Sequence, residues 1–437
     1  MAHEPSLDHL WLPFTPNRDF RQDPKSFLRA EGVYYEAVSG ARVLDGCSGL
    51  FCVPLGHGRA EIADAVRAQL LELDFAGSFN RNHPKASELA GRVAALTPDG
   101  LDRVFFTNSG SESVDSAMKM ALAYHRARGD GQRTMFVSRE RAYHGVNMGG
   151  VALSGIKPNR AVYGPGVAGV VHMRHTAIPE NRTALGQPEK GAELAQDLER
   201  ACALYGGENI AAVFVEPIAG STGCLAPPVG YLEALREICD AHGILLIFDE
   251  VITGIGRTGH AFAADAFGVT PDVITLAKAL TNGMQPMGAV ASSDAIYQTI
   301  VEQADGGLVE FFHGYTYSGH PAACAAGVAS FDLYEREGSF ARAHALSGPF
   351  LAGLAELRDV AGVADVRGFG LLGAVDIEPV PGEPGRAGYE VQKQLFDAGL
   401  HVKATGDALL LAPAFVFEET QLDEMFGVLR ETLAARP

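Results

Sequence analysis

Short apolar runs with almost no polar alternation, set between stretches of helical periodicity, constrain this chain more than any other feature. Residues 210–215, 244–248 and 273–277 are of this kind. A strand with one wet face alternates apolar and polar residues, whereas a strand covered on both faces need not. Residues 231–242, between the first two runs, space their apolar side chains as a helix does. The same alternation runs upstream. Helices are expected over 61–73 and 85–96, a strand over 103–107, a helix from the turn at 108–111 to about 128, and a strand over 134–137. Residues 288–291 offer one more strand. This order predicts an α/β protein with a mainly parallel sheet and helices on both faces.

The pattern changes after about residue 323. Helical spacing covers 321–336 and 341–357, and strand-like alternation follows over 363–377 and 401–412. These imply a smaller α+β domain at the C-terminus, with the hairpin-like stretch 33–45 packing against it. The expected division is an N-terminal segment 1–60, a large domain 61–322 and a small domain 323–437. Pro and Gly mark loops at 54–58, 158–169 and 379–388. With 437 residues, 47% of them hydrophobic, the chain can bury a core large enough for more than one domain.

Charge and cysteine usage exclude several classes of function. A net charge of −18 disfavours nucleic acid and anionic membrane as bulk partners. The six cysteines are scattered and form no C-x-x-C, as packing residues do in a reducing compartment. No stretch approaches the roughly 18 apolar residues of a membrane helix, and residues 1–14 lack a basic start and an apolar core. A cytoplasmic protein is expected. No H-E-x-x-H, Walker A or EF-hand pattern occurs, so no metal is expected.

Two of the apolar runs end in charge: Asp249 and Glu250 close one, Lys278 the other. In a parallel sheet the carboxyl ends of the strands line the ligand crevice, so Asp249 and Lys278 fall on one edge. Such a pair suits pyridoxal 5'-phosphate (PLP): a lysine forms a Schiff base with the aldehyde, and an aspartate holds the proton on the pyridine nitrogen. Each residue alone has a plainer reading, as a solvated loop lysine or a capping carboxylate. Asn108, Ser109, Gly110, Ser111 and Glu112 stand at a strand-to-helix turn. They read as a helix N-cap, as a phosphate cup built on the helix N-terminus, or as both. Tyr143 and His144 offer an aromatic ring for a cofactor, and residues 313–321 a loop dense in hydroxyls and glycine. Gly254, Gly256 and Gly259 match the dinucleotide fingerprint G-x-G-x-x-G. They do not follow the strand directly, and the next segment, residues 260–268, is too short for the helix required. Gly368, Gly370 and Gly373 match the same pattern inside apparent strand.

Taken together, these residues resemble the class III PLP-dependent aminotransferases. The resemblance rests on residues 248–259 (FDEVITGIGRTG), then Pro271-Asp272 and Ala277-Lys278. Residues 108–112, 143–145, 215–217 and 313–321 fall in family order, so it spans nearly the whole chain. It implies the PLP fold type I, with a large parallel-sheet domain and a smaller α+β domain. Lys278 would be the Schiff-base lysine and proton shuttle, and Asp249 the partner of the pyridinium nitrogen. Tyr143 and Val251 would sandwich the ring, and Gly110 and Ser111 would hold the phosphate. Ser109, His144 and Ile252 would also touch the cofactor, and Glu216 would lie near the ring hydroxyl. The family implies a homodimer or dimer of dimers, with Thr316 reaching the phosphate from the partner subunit.

Residues 11–20 (WLPFTPNRDF) and Ser48-Gly49-Leu50-Phe51 look like the β-alanine (ω-amino acid):pyruvate branch. That likeness implies transfer of an amino group from an ω-amino acid or primary amine to pyruvate, giving alanine and an aldehyde or ketone. Phe14, Phe51, Phe79 and Tyr143 are expected as substrate walls, and Lys403 as the contact for the acceptor carboxylate. The branch often carries Trp at the position of Phe51, and usually Arg at that of Lys403. A lysine lacks the planar bidentate fork of arginine. The competing readings are a PLP aminomutase or decarboxylase on the same fold, a non-catalytic relative, and an NAD-dependent oxidoreductase using residues 254–259.

Overall fold

Among the described residues, residues 6–303 and 306–436 of the computed structural model, the central sheet has seven strands. Their spatial order is Arg103–Thr107, Gly288–Ser292, Val273–Leu276, Leu245–Asp249, Ile210–Val215, Met135–Arg139 and Val170–Met173. The last five of these are parallel to one another. Gly288–Ser292 runs antiparallel to both of its neighbours.

Every residue of Ile210–Val215, Leu245–Asp249 and Val273–Leu276 is buried, which is why these runs carry so little polarity. Their side chains feed two cores. Ala212, Phe214 and Ile247 pack with Ala117, Met118 and Ala121 of the helix Gly110–Ala127. Val213, Val215, Leu246 and Phe248 pack on the other face with Leu232, Leu235 and Cys239 of the helix Tyr231–His242. Alternate residues of one strand thus serve opposite faces, as the pleat requires.

The C-terminal sheet is antiparallel and joins Val363–Phe369, Leu372–Ile377, Ala408–Leu411 and Lys403–Thr405. The N-terminal strands Phe27–Glu31, Tyr34–Ala37 and Arg42–Asp45 form a separate sheet that recruits Leu400–His401 in parallel with Arg42–Asp45. Leu44 N–H donates to Gly399 O at 2.8 Å and Gly46 N–H to His401 O at 2.9 Å.

Several elements lie outside the expected pattern, among them the strand Val170–Met173 and the helices Gln196–Tyr205 and Asp294–Val301. The stretch 158–169, expected as loop, overlaps the helix Lys157–Tyr163. Its proline falls in the first turn, where a missing N–H costs nothing. The helices Arg386–Asp397 and Glu419–Ala434 complete the C-terminal region. The expected ends of the other elements shift by no more than about three residues, as frayed boundaries do.

Candidate active site

Asp249 ends its strand, and Lys278 stands just beyond the neighbouring one, with Asp249 in register with Thr275. Three donors fix the Asp249 carboxylate. The Thr275 hydroxyl donates to Oδ1 at 3.1 Å, Val251 N–H to Oδ1 at 3.2 Å, and His144 Nδ1–H to Oδ2 at 2.8 Å. Glu250 points elsewhere. Its two oxygens accept from Ala263 and Ala264 N–H at 2.7 and 2.8 Å and so cap the helix Ala263–Phe267. Of the two acids that close this run, one faces the cavity and the other is structural.

Lys278 holds a left-handed backbone, φ 50°, at the start of the turn Lys278–Thr281. That conformation costs a non-glycine residue about 1–2 kcal/mol. The surroundings impose it. Asn282, also left-handed at φ 49°, accepts from Leu55 N–H at 2.9 Å and donates to Gly56 O at 3.0 Å. The Thr281 hydroxyl donates to Gln285 O at 2.6 Å. Burial lowers the pKa of the Lys278 amine, opposed by Cys52, Asp249 and Glu216. A desolvated amine of this kind reaches its nucleophilic, neutral form more readily.

A cavity of about 340 Å³ joins these groups, within the range of small-molecule sites. One part of its wall is Ser109, Gly110 and Ser111, at the N-terminus of the helix Gly110–Ala127. The N-cap reading of this turn is realised, and the turn stands in the cavity wall. The Ser109 hydroxyl accepts from Glu112 N–H at 3.2 Å, and Glu112 accepts from Asn108 N–H at 2.7 Å. The first helical N–H groups still lack intrahelical acceptors and present a positive dipole end to an anion. The glycines are dictated by space. A Cβ on Gly110 would stand 2.9 Å from Val251 Cγ1, and one on Gly145 2.5 Å from Ser111 Oγ. Tyr143, His144, Val251 and Ile252 line the same cavity.

Glu216, 4% exposed, follows the strand Ile210–Val215 and accepts from Tyr143 N–H at 2.9 Å. Burial pushes its pKa up to about 7, with the negative charge of Asp249 adding to the rise and His144 opposing it. A helix N-terminus, walls of Tyr143, Val251 and Ile252, a carboxylate and a desolvated lysine in one cavity fit a phosphorylated aromatic aldehyde with a basic ring nitrogen.

The comparisons with known proteins agree with this chemistry. A family model of class III aminotransferases matches residues 19–433. The chain is a class III aminotransferase. It is 52% identical to an omega-aminotransferase of Caulobacter vibrioides over 98% of this chain and 97% of that protein. It is 44% identical to an omega-amino acid–pyruvate aminotransferase of Pseudomonas putida over 99% and 97% of the two chains. Its fold superposes, with a TM-score of 0.88, on an amine transaminase from an uncultivated Pseudomonas species in the PLP-bound form. Those two chains are 33% identical over 98% of each. The cofactor of this aminotransferase is PLP, and the fold is type I.

Ten of the residues expected at the cofactor line the cavity together: Ser109, Gly110, Ser111, Tyr143, His144, Glu216, Asp249, Val251, Ile252 and Lys278. The others do not. Thr316 is exposed on its loop, and Phe14 and Phe79 are 71% and 62% exposed. Phe51 is buried in an apolar cluster with Ile252, Ile218 and Leu372. Lys403 is half-buried on its strand, outside the cavity wall. Cys52, Gln285 and Met287 line the cavity as well. Gln285 and Met287 lie in no motif, and Cys52 directly follows the Ser48–Phe51 stretch without any signal of its own.

Both G-x-G-x-x-G matches are packing devices. Residues 254–259 form turns, and a Cβ on Gly256 would stand 2.5 Å from Phe340 Cδ1. Gly370 closes the hairpin between Val363–Phe369 and Leu372–Ile377, and its Cβ would meet Thr258 Cα at 2.7 Å. Leu371 N–H donates to Arg257 O at 3.1 Å. The two glycine patterns pack against each other and leave no room for a dinucleotide.

The raised pKa of Glu216 predicts a pH dependence of stability in the cofactor-free protein. Between about pH 4.5 and 7 the unfolded chain releases this proton while the folded chain keeps it. Stability from this group is therefore present below its unfolded pKa and falls as pH rises through that window, by roughly 3 kcal/mol. Glu250 shifts in the same direction, also for burial. Comparing wild type with Glu216→Gln isolates Glu216. The fall in melting temperature from pH 4.5 to 7.5 should be smaller in the variant, and equal falls would refute the assignment.

Proposed function

We propose that this aminotransferase moves an amino group from an ω-amino acid or primary amine to pyruvate, yielding alanine and an aldehyde or ketone. The observation that carries the reading is the meeting of Lys278, Asp249 and the Ser109–Ser111 cup in one cavity, in a chain 44% identical to an omega-amino acid–pyruvate aminotransferase. PLP, when bound, supplies an electrophilic carbon and a sink for the electrons of the amine-bearing carbon. Lys278 Nζ would accept the proton of the amine-bearing carbon and give it back to carbon once the amino group has moved, a task suited to an amine whose basicity burial has reduced. Asp249, held by its three donors, keeps a proton on the ring nitrogen. Tyr143 and Val251 would flank the ring, and Gly110 and Ser111 would hold the phosphate. Ping-pong kinetics result, with the two substrates using one site in turn.

The acceptor carboxylate goes to Lys403. Among the described residues this cation forms no ion pair, and burial lowers its pKa. The principal test is alanine formation from pyruvate, measured against a panel of ω-amino acids and primary amines. No amine-dependent alanine from any of them would overturn the reading. Lys403→Arg gives the sharper result, because arginine restores the bidentate fork. Its kcat/KM for ω-amino acids should rise about tenfold, the effect of one good added hydrogen bond. Amines without a carboxylate should change little, and no gain for ω-amino acids would remove Lys403 from the site.

The active unit we infer is a homodimer or a dimer of such dimers, in which Thr316 serves the partner's phosphate. The loop that carries Thr316 presents exposed Phe312 and Tyr317 beside exposed Phe75 and Phe79. Contiguous exposed apolar surface of this kind marks an interface. We place the protein in the cytoplasm. All six cysteines are free, and no helix among the described residues is long and apolar enough to cross a membrane.

A further inference from the structure

Arg141, two residues before Tyr143, lines a second cavity of about 230 Å³. It lies where residues 176–188 and the 224–226 loop meet the strands Val363–Phe369 and Leu372–Ile377. Its walls carry three arginines, Arg141, Arg182 and Arg367, against two carboxylates, Asp365 and Asp376. One positive charge is left over, in a chain whose net charge is −18. Both carboxylates are engaged by Arg367, whose Nη2 donates to Asp376 at 2.7 Å and whose Nη1 pairs with Asp365. Arg367 Nε donates to Gly223 O at 2.8 Å, which completes its fork.

Arg141 is less well served. Its Nη2 donates to Thr222 O at 2.7 Å, and among the described residues it has no carboxylate partner. The two guanidiniums converge, since a Cβ on Gly223 would stand 2.8 Å from Arg367 Nη2 and 3.4 Å from Arg141 Nη2. Burial, and then the nearness of Arg367, lower the pKa of Arg141. Thr176, 2% exposed, lines the same cavity, and its hydroxyl has no hydrogen-bond partner. A cation without a carboxylate partner and an unpaired buried hydroxyl in the wall of one space are both unfavourable without a further partner.

We propose that this cavity binds one small monocarboxylate, whose oxygens accept from the Arg141 guanidinium and the Thr176 hydroxyl. One surplus charge calls for a monoanion, and a planar fork matches a carboxylate better than a spherical halide. The cavity is too small for a drug-sized molecule and suits a ligand of a few heavy atoms. The proposal does not depend on which amine the enzyme uses.

Thermal melting of the PLP-loaded enzyme in acetate tests it, because acetate carries neither an amine nor a ketone. Acetate should raise the melting temperature saturably, by about 2 °C, above the effect of sodium chloride at equal concentration. Arg141→Gln should abolish the rise. Thr176→Val keeps every charge and removes only the unsatisfied hydroxyl. It should melt slightly higher without ligand yet respond less to acetate, which keeps the test valid if Arg141→Gln fails to fold. Lys403→Met should retain the full acetate response. An equal rise with chloride would overturn the carboxylate assignment. So would an acetate response that survives both Arg141→Gln and Thr176→Val, or one that disappears in Lys403→Met and so belongs to the carboxylate contact proposed at Lys403.

Discussion

Lys278→Ala is expected to lower amine-dependent alanine formation by roughly 10⁴-fold or more, with the fold intact. The same amine is asked to attach the cofactor and to move the proton, and positioned proton transfer alone contributes about 10²–10⁴-fold. Removing it should not unfold the protein. The lysine is desolvated, with its charged form disfavoured by burial, so its removal relieves a cost. Its left-handed backbone also remains strained with alanine. Lys278→Gly should therefore be more stable than Lys278→Ala by about 1 kcal/mol. Borohydride should fix the cofactor covalently in wild type and not in either variant. Added methylamine should restore part of the lost rate, which a merely structural role for Lys278 would not allow. Activity within tenfold of wild type, or a borohydride adduct in Lys278→Ala, would remove Lys278 from its role.

Asp249→Asn is expected to lower turnover by roughly 10²–10³-fold, the scale on which one preorganised electrostatic contact acts. The substitution changes more than a charge. The amide oxygen can still accept from Thr275 and Val251, but its NH₂ then faces the Nδ1–H of His144, now a donor beside a donor. To accept there, His144 must move its proton to Nε2, a buried atom with no hydrogen-bond partner. The variant therefore loses the charge and also strands a donor. Cofactor should still bind through the Ser109–Ser111 cup, so the absorption band should persist while turnover falls. Turnover within fivefold of wild type, with cofactor bound, would sink this assignment.

How much was legible before the fold was known differs by element. The strands Ile210–Val215, Leu245–Asp249 and Val273–Leu276 were readable because burial on both faces strips a strand of polar residues. The helix Arg386–Asp397 was not, because it comes after a Pro- and Gly-rich stretch that reads as loop. The direction of Gly288–Ser292 was also beyond reach, since apolar content is blind to strand polarity. In the site, Lys278 and Asp249 were singled out because each closes a buried apolar run in sequence, whereas Glu216 entered only through the family resemblance. Cys52 and Gln285 were not, because they reach the cavity on irregular segments tied down by Asn282 and Thr281. The two G-x-G-x-x-G matches mislead for a related reason. A glycine needed for close packing looks the same in sequence as one needed for a phosphate.

The sequence by itself determined the layered α/β architecture and the chemical type of the cofactor residues. Burial periodicity and strand-end charge are local properties of the chain. Only the tertiary structure decided which acid of the Asp249–Glu250 pair faces the cavity. That choice depends on where Ala263 and Ala264 place their free N–H groups. The fold likewise sealed Phe51 in a core, set Thr316 and Phe79 on an outer surface, and brought Arg141 and Thr176 to one cavity. Those outcomes are contacts between segments far apart in sequence, and no local pattern encodes them.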